Sequence, residues 1–355
     1  MAGEINLGGS RLLAYATISR YNLPMITVVV PNLNGKRWLG ACLESLQQQT
    51  EPAEVIVVDN GSTDGSVAMV ASDFPRVTCL ELTSNQGFTG GVNTGIAYAL
   101  KHDAEFVALF NNDAVAEADW LKQLLATARQ RPQAGIVTGK LLRFDQRHLD
   151  GTGDQYTIWG LPYPRGRDEL DRGQYDQEGP VFAGSGGASL YRSEMLRQIG
   201  LFDQAFFAYY EDVDVGFRAQ LAGWKVYYQP HAVAYHRTGA TSSQMGSFAR
   251  YHTIKNCYYL YVKDMPARLF WKYLPAFALG MFMIAGNSLL RGQVVPLAKA
   301  YARLVVTLPA MVAKRRRVQR SRTVDVTYIE SLLSHHLPPT HRRLRRWRRL
   351  VGARP

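Results

Sequence analysis

Phe106-Val107-Ala108-Leu109-Phe110-Asn111-Asn112-Asp113 is the stretch on which the fold turns, an apolar run that ends abruptly in two carboxamides and a carboxylate. Small Ala114 follows. A strand that delivers a carboxylate from the carboxyl end of an α/β sheet is a common way to hold a metal ion or a diphosphate. Taken alone, the octamer fits equally a strand closed by an Asx-rich turn. The segments before and after it decide between the two.

Upstream, Met25–Val30 is a β-branched run closed by Pro31-Asn32-Leu33-Asn34-Gly35, which reads as a buried strand and a tight loop. Trp38, Leu39, Cys42, Leu43 and Leu46 follow helical spacing over 37–49. Glu54–Val58 predicts a second strand. Its loop, Asp59-Asn60-Gly61-Ser62-Thr63-Asp64-Gly65-Ser66, leads into a helix over 66–73 that Thr63 or Asp64 would cap. Asp59 therefore falls at a strand's carboxyl end, where open α/β sheets bind ligands. Val77–Leu80 predicts a third strand. Asn85-Gln86-Gly87-Phe88-Thr89-Gly90-Gly91-Val92-Asn93 then opens a helix to about Lys101. Three glycines there allow close backbone approach, to a phosphate or to another helix.

With Phe106–Phe110 added, the strand–helix alternation predicts a parallel sheet of nucleotide-binding type. No Gly-x-Gly-x-x-Gly follows the first strand, and no P-loop lysine pattern occurs. An NAD enzyme or an NTPase is therefore disfavoured.

Downstream, a helix over 119–130 and a strand over Gly135–Gly139 precede the polar stretch Asp145–Gly179, which holds Trp159 and Tyr163 but no clear period. So long an excursion reads as a binding loop or flap, or as an irregular surface insertion. Val181–Tyr191 returns to strand character after a glycine turn at 184–187, and a helix over 193–199 follows.

Phe206-Phe207-Ala208-Tyr209-Tyr210-Glu211-Asp212-Val213-Asp214-Val215-Gly216-Phe217-Arg218 is the second focus, with three acids in four positions among aromatics. Such crowding is costly unless a cation, a base function or helix N-terminal amides use it. A helix start whose acids only favour the dipole is the plainer alternative. A helix beginning near 211 would pair Asp214 with Arg218 at i,i+4 and leave Asp212 facing a cleft. Short strands at Trp224–Gln229 and Ala232–Tyr235 lead to His236, a metal-ligand candidate only by its position beside the acidic loops. An aromatic helix spans 248–263.

The chain has 355 residues, 46% hydrophobic and 20% charged, as expected of a folded protein with one large domain or two smaller ones. Cys42, Cys79 and Cys257 lie far apart and make neither a disulfide framework nor a thiolate cluster. Residues 1–24 lack a signal-peptide pattern. The net charge of +12 is uneven: Lys314–Pro355 carries 13 Lys/Arg against 2 Asp/Glu, leaving 28 basic and 27 acidic residues over 1–313. A near-neutral body argues against specific nucleic-acid binding. The polycationic tail, with its run His341–Leu350, could still contact the anionic lipid of a membrane surface, or nucleic acid.

Tyr273–Leu290 is an uncharged run of 18 residues, which as a helix reaches roughly 27 Å, marginal for a bilayer. Pro275, Gly280, Gly286 and Asn287 weaken it, and Val294–Ala313 contains Lys299 and Arg303. A helical hairpin, helices lying in the interface, and buried helices or an oligomer contact all fit. A basic tail favours the cytoplasmic side. With body and tail on one side, the number of crossings is even or zero.

These motifs, in this order, resemble the family 2 glycosyltransferases with a GT-A fold, particularly the rhamnosyltransferase-like branch of bacterial cell-surface polysaccharide synthesis. The resemblance covers about residues 25–262. It rests on Val28–Gly35, the Asp59–Ser66 loop, Asn85-Gln86-Gly87-Phe88 with Asn93, Asn111-Asn112-Asp113, Glu211-Asp212-Val213-Asp214 with Arg218, and His236 with Gly239.

The resemblance implies an α/β GT-A fold with a mainly parallel central sheet, plus a C-terminal helical membrane-associating region. The division is a 1–24 extension, a 25–265 catalytic domain, 266–313 apolar and amphipathic helices, and a 314–355 tail. It implies that Pro31, Asn34 and Asp59 surround base and ribose, with Asp59 reading the base. Asn85, Gly87, Phe88 and Asn93 support the nucleotide side. Asn111-Asn112-Asp113 stands in for an Asp-x-Asp motif, with Asp113 on Mg²⁺ or Mn²⁺, Asn111 on ribose or a metal-bound water, and His236 as second ligand.

Asp212 is implied as the base of an inverting transfer, with Glu211 as alternate, and Asp214 and Arg218 orienting the loop. Gly184, in the 184–187 turn, would sit against donor sugar and acceptor, and Trp159, Tyr209 and Tyr210 would stack on sugar faces. The implied donor is dTDP-L-rhamnose, with UDP-galactofuranose and UDP-glucose open. The implied acceptor is a glycan or polyprenyl-diphosphate-linked glycan at the cytoplasmic face of the membrane. A non-catalytic sugar-nucleotide or glycan binder is the competing class, and the intact acids at 113 and 212 argue against it.

Overall fold

The computed structural model describes residues 3–7, 10–14, 25–237 and 246–337. Gly239 and the basic run 341–350 lie outside them. A small antiparallel hairpin, β1 (Gly3–Leu7) with β2 (Ser10–Ala14), lies within the segment read only as an extension.

The predicted alternation then appears: β3 (Ile26–Asn32), α1 (Lys36–Gln47), β4 (Glu54–Asp59), α2 (Ser66–Asp73), β5 (Thr78–Glu81), α3 (Gly87–Lys101) and β6 (Phe106–Phe110). β3 pairs in parallel with both β4 and β6, and β5 with β4. All residues of β4 and β6 are buried, because helices cover both faces of the sheet. Leu39, Leu43 and Val70 pack with Val28, Val57 and Phe106 on one face. Val92 and Ile96 pack with Val29, Ile56 and Val107 on the other.

Past Asp113 the sheet becomes mixed. β7 (Ala114–Ala116), α4 (Trp120–Gln130) and β8 (Ala134–Arg143) come next. The 145–179 stretch is neither structureless nor a single loop. It folds as β9 (Leu149–Gly151), β10 (Asp154–Tyr156), β11 (Pro162–Pro164) and the first residue of β12 (Gly179–Pro180).

β13 (Ala188–Arg192) runs antiparallel between β6 and β8; the glycine turn at 184–187 precedes it, and residues 181–183, read with the strand, belong to the loop. After α5 (Ser193–Ile199) and α6 (Glu211–Leu221) comes β14 (Lys225–His236). It is one strand where two were expected, parallel to β8, with a bulge between Gln229 and Val233 that accommodates Pro230. The sheet order is β12-β14-β8-β13-β6-β3-β4-β5, with β7 on β14 and β9 on β8. This mixed, mainly parallel sheet with flanking helices is a GT-A-like fold.

The last part is helical: α7 (Gly246–Asp264), α8 (Ala267–Leu290), α9 (Val294–Arg320) and α10 (Val326–Leu332). α9 continues well past residue 313, so the basic tail begins as helix. α8 and α9 are both long and apolar enough to cross a membrane, which supports membrane association of this region.

A buried charge network joins α6, α7 and α9 to the loop before α6. Arg218 Nε donates to Asp214 Oδ2 (2.9 Å), Lys263 bridges Asp214 and Asp203 (3.0 Å to the latter), and Lys314 reaches Asp203 (2.5 Å). Asp214 is fully buried and Lys263 is 2% exposed, so neither charge can turn to water. Removing one partner strands the other in a low-dielectric interior. Lys263→Met is therefore expected to lower unfolding stability by about 3 kcal/mol, measured by urea denaturation.

Candidate active site

The carboxyl ends of β3, β4 and β6 open onto a cleft of ≈ 430 Å³, reached also by the 185–187 turn, residues 207–212 and His236. A carboxamide network shapes its floor. Asn32, 2% exposed, donates to Asp59 Oδ1 (2.9 Å), Ser62 Oγ (3.2 Å) and Ser66 Oγ (2.9 Å), and accepts from Asn112 Nδ2 (2.7 Å). Gly35 makes room for this: a Cβ there would lie 2.0 Å from Asn112 Nδ2. Asn60 donates to Gly87 O (2.8 Å) and accepts from Gln86 N (2.8 Å), fixing the turn into α3. Gly87 has φ 76°, and a Cβ would meet Phe207 O at 2.5 Å.

Of the residues singled out from sequence, Pro31, Asn85, Gly87, Phe88, Asn111, Asn112, Asp113, Glu211, Asp212 and His236 line this cleft. The two carboxylates on distant loops, Asp113 and Asp212, thus share one cavity.

Tyr209 apart, the others do not line it, and each has an internal use. Asp59, 3% exposed, is occupied by Asn32 and by the Ser62 N–H (2.8 Å). Asn34 accepts from Thr63 N (2.8 Å) and so ties two loops together. Asn93 makes a two-way clamp with the backbone of Phe202 (2.8 and 3.0 Å). Gly184 packs on Ile136 and Ser189, and its neighbours Ser185, Gly186 and Gly187 face the cleft instead. Asp214 belongs to the buried network above. Arg218 also donates to the carbonyls of Ile199, Gly200 and Leu201 (2.7–3.0 Å). Trp159 lies under α8, its carbonyl 3.0 Å from where a Cβ on Gly280 would be, so it is no wall of the cleft. Tyr209 lines the cleft, whereas Tyr210 packs with the aromatic core of α7 and α8.

Strand pairing explains the metal-side geometry. β7 pairs with the end of β14, placing His236 opposite Ala114, next to Asp113. His236 Nε2 lies 3.1 Å from Asp113 Oδ1, and Asn111 Nδ2 is 3.3 Å from the same nitrogen. The other ring nitrogen, Nδ1, lies 2.7 Å from Asp150 Oδ2, and the second Asp150 oxygen pairs with Arg167 Nη2 at 3.1 Å.

Burial pulls the His236 pKa down, but the hydrogen bonds and charges of Asp113 and Asp150 outweigh it and raise it to about 9. The donor set fits a divalent cation: a carboxylate oxygen and an imidazole nitrogen face a cleft, and the far ring nitrogen rests on a carboxylate, as in metal-ligating histidines. Among the described residues no group of three His, Cys, Asp or Glu is arranged to hold a metal ion, since Asp150 backs His236 from its far side. Two protein ligands leave the remaining positions to donor oxygens and water.

Elsewhere in the cleft, Asp212 accepts from Gly186 N (2.9 Å) and Val213 N (2.8 Å). Burial raises its pKa, while those N–H groups and Arg167 oppose the rise. Burial, then the Asp212 charge, pushes Glu211 well above the carboxylate range, and its Oε2 is buried without a hydrogen-bond partner. Asp154 is raised in the same way, by burial and then by Asp212. Asp150, Asp154 and Arg167 escaped the sequence reading because they come from the aperiodic 145–179 stretch. Arg167 alone signalled nothing, and only the β8–β9 pairing brings Asp150 behind His236.

A profile described as "Glycosyltransferase like family 2" matches residues 24–250, and the chain belongs to that family. An N-acetylglucosaminyl-diphospho-decaprenol L-rhamnosyltransferase of Mycobacterium tuberculosis is 29% identical over 303 residues, 76% of this chain and 95% of that protein. The O-antigen chain rhamnosyltransferase RfbN of Salmonella typhimurium is 26% identical over 229 residues, 64% of this chain and 70% of its own. Among solved structures, the mannosyltransferase PcManGT of Pyrobaculum calidifontis, in complex with GDP-Man and Mn²⁺, superposes with a TM-score of 0.51. The match has 17% identity and covers 85% of this chain and 87% of that one. GalNAc-T7 with UDP, GalNAc and Mn²⁺ gives a TM-score of 0.52 at 14% identity over 68% of this chain and 48% of that one. Both show the shared fold.

The two-carboxylate seat of His236 has a direct test. Asp150→Asn removes a negative charge that favours the imidazolium, so the ring should lose its proton at lower pH. Titration by ¹H–¹⁵N NMR of the metal-free protein is expected to move the midpoint from about 9 back toward the ordinary histidine value.

Proposed function

We propose that this chain is an inverting, metal-dependent glycosyltransferase. It moves a sugar from a nucleotide-diphosphate donor to a hydroxyl of a glycan or polyprenyl-diphosphate-linked acceptor, at the cytoplasmic face of the membrane. dTDP-L-rhamnose is the favoured donor; the rhamnosyltransferases of M. tuberculosis and S. typhimurium support it, while UDP-galactofuranose and UDP-glucose share the same chemistry. The observation that carries the reading is the convergence of Asp113 and Asp212 on one cleft in a family 2 chain.

In this reading the nucleoside lies along Pro31, Asn32, Asn60 and Asn85, and Asp59 acts through Asn32 by fixing the floor. Mg²⁺ or Mn²⁺ would be held by Asp113 and His236, with Asn111 beside them, and when bound offsets charge on the departing diphosphate. Asp150 is a positioning residue: it fixes His236 through Nδ1 and Arg167 through its guanidinium. Arg167 brings a permanent positive charge into the cleft, suited to phosphate oxygens.

Asp212 takes the acceptor hydroxyl's proton as that oxygen attacks the anomeric carbon, and the bond to the diphosphate breaks on the opposite face. Gly186 N–H and Val213 N–H hold both of its oxygens and favour the ionised form. Glu211, buried with an unpartnered oxygen, is better suited to stay neutral. Phe207, Tyr209 and Phe248 offer apolar walls for sugar faces.

Asp212→Asn should preserve folding and donor binding while lowering transfer roughly a thousand-fold. Near-wild-type transfer would remove Asp212 from the role of base. Because the active form is the carboxylate and its pKa is raised, kcat/KM should fall with decreasing pH at a point above the ordinary Asp value of about 4. Asp113→Ala should abolish the Mn²⁺-dependent part of nucleotide binding in calorimetry. Thermal stabilisation across a panel of nucleotide-sugars with Mn²⁺ identifies the donor, and no response to any of them counts against the whole reading.

A further inference from the structure

Helices α8 and α9 each carry two stripes. On α8, Leu269, Tyr273, Phe277, Met281 and Ser288 are buried, at the spacing of one helical face, and the opposite face exposes Trp271 (70%), Leu279 (49%) and Phe282 (74%). On α9, Pro296, Leu297, Ala300 and Met311 face inward, whereas Val295 (63%), Val305 (75%) and Val306 (71%) face out. The turn between the helices exposes Leu290 at 89%. A contiguous apolar surface of this kind on a folded chain marks a docking site.

The inward stripes decide how it docks. Phe277 stacks on Tyr261 of α7 at 3.9 Å and 5°, and Gly280 packs on Trp159. α9 is tied to α7 along its length. Thr307 Oγ1 bonds Tyr259 (2.8 Å), Arg315 donates to Val262 O (2.7 Å) and Gln319 to Asp264 O (2.8 Å). A bilayer crossing by either helix would therefore draw the packed α7–α9 unit into hydrocarbon, exposed Lys299 and Arg303 included. The desolvation cost forbids that.

We infer that α8 and α9 do not span: they lie along one leaflet of an anionic membrane, outer stripes inserted, as an interfacial platform for the body. The occupant follows from charge. Exposed Arg291 sits at the turn, exposed Lys299, Arg303, Arg316, Arg317 and Arg320 lie on α9, and Lys314–Pro355 carries 13 basic against 2 acidic residues. Apolar side chains rimmed by this much positive charge match acidic headgroups over acyl chains. The platform also lies at the cleft: Arg250 Nε donates to Gln293 of the α8–α9 turn (2.8 Å), two residues along α7 from Phe248, which lines the cleft. The inference goes beyond the sugar-transfer reading and stands without it.

The test uses the full chain with phosphatidylglycerol vesicles and needs no catalysis. Wild type should float with the vesicles and be released by alkaline carbonate. A full-length Leu290→Asp/Val295→Asp variant keeps the basic tail, and should lose vesicle partitioning by about ten-fold or more while keeping its melting temperature and nucleotide binding. Retention in the carbonate pellet would show spanning helices and overturn the inference. So would equal partitioning of variant and wild type, or a vesicle-indifferent dimer that the variant dissociates.

Discussion

The cleft depends on how α7 holds the backbone carbonyls of residues 205–209. Phe207, Tyr209 and Tyr210 all have positive φ (67°, 71° and 68°), a conformation that bulky residues adopt only under constraint. The constraint is visible. Lys255 donates to Ala205 O (2.6 Å), His252 Nδ1 lies 3.1 Å from Phe206 O, and Asn256 reaches the carbonyls of Phe206, Ala208 and Tyr209 (3.1, 2.9 and 2.6 Å). A chain folded this tightly throws Phe207 against Gly87 and Thr89, and launches α6 with Glu211 and Asp212 at its first turn. The turn into α3 and the candidate base are thus positioned by one clamp.

Charge in the cleft is separated in the same economical manner. Asp113 and Asp150 sandwich His236, so two carboxylates share one imidazole ring. Asp150 then meets Arg167, whose charge also acts on Asp154 and Asp212. The Asp212 charge adds to burial in raising both Glu211 and Asp154. Only groups with hydrogen-bond donors aimed at them favour ionisation, and Asp212 has two backbone N–H donors from outside its own residue. Environment therefore distinguishes neighbours that look equivalent in the sequence.

The half of the fold built from β3 to β6 was readable because its strands are continuous apolar runs and its helices keep a 3.6-residue period. The acids that would face a substrate were readable for a related reason: Asp113 ends a strand and Asp212 opens a helix. Asp59 looked equivalent to Asp113 but is consumed by Asn32, a pairing across loops that no local pattern announces. Asp150 and Arg167 were invisible because short paired strands in 145–179 have no length over which a period can be counted. The left-handed residues at 207, 209 and 210 carry no signal either, since Phe and Tyr do not ordinarily occupy that region. What sequence conveyed was which polar groups end regular elements. What it withheld was which of them are spent on each other.

The direction in which α7 and α9 run bears on the acceptor. α7 and α9 run in the same direction, since Ile254 meets Leu297 and Ala300 while Val262 meets Arg315. The start of α7 borders the cleft through Phe248, and so the exposed apolar turn after Leu290 lies at the cleft end of the molecule, not the far end. A soluble acceptor gains nothing from that arrangement. The proposed lipid-linked acceptor fits it, because with the platform on a bilayer its reacting oxygen would stay within a short distance of that surface. The same helix thus faces two demands, clamping residues 205–209 on one side and seating α9 on the other. The first demand is why α7 buries His252, Lys255 and Asn256. In a helix that served packing alone, burying them would be a net cost.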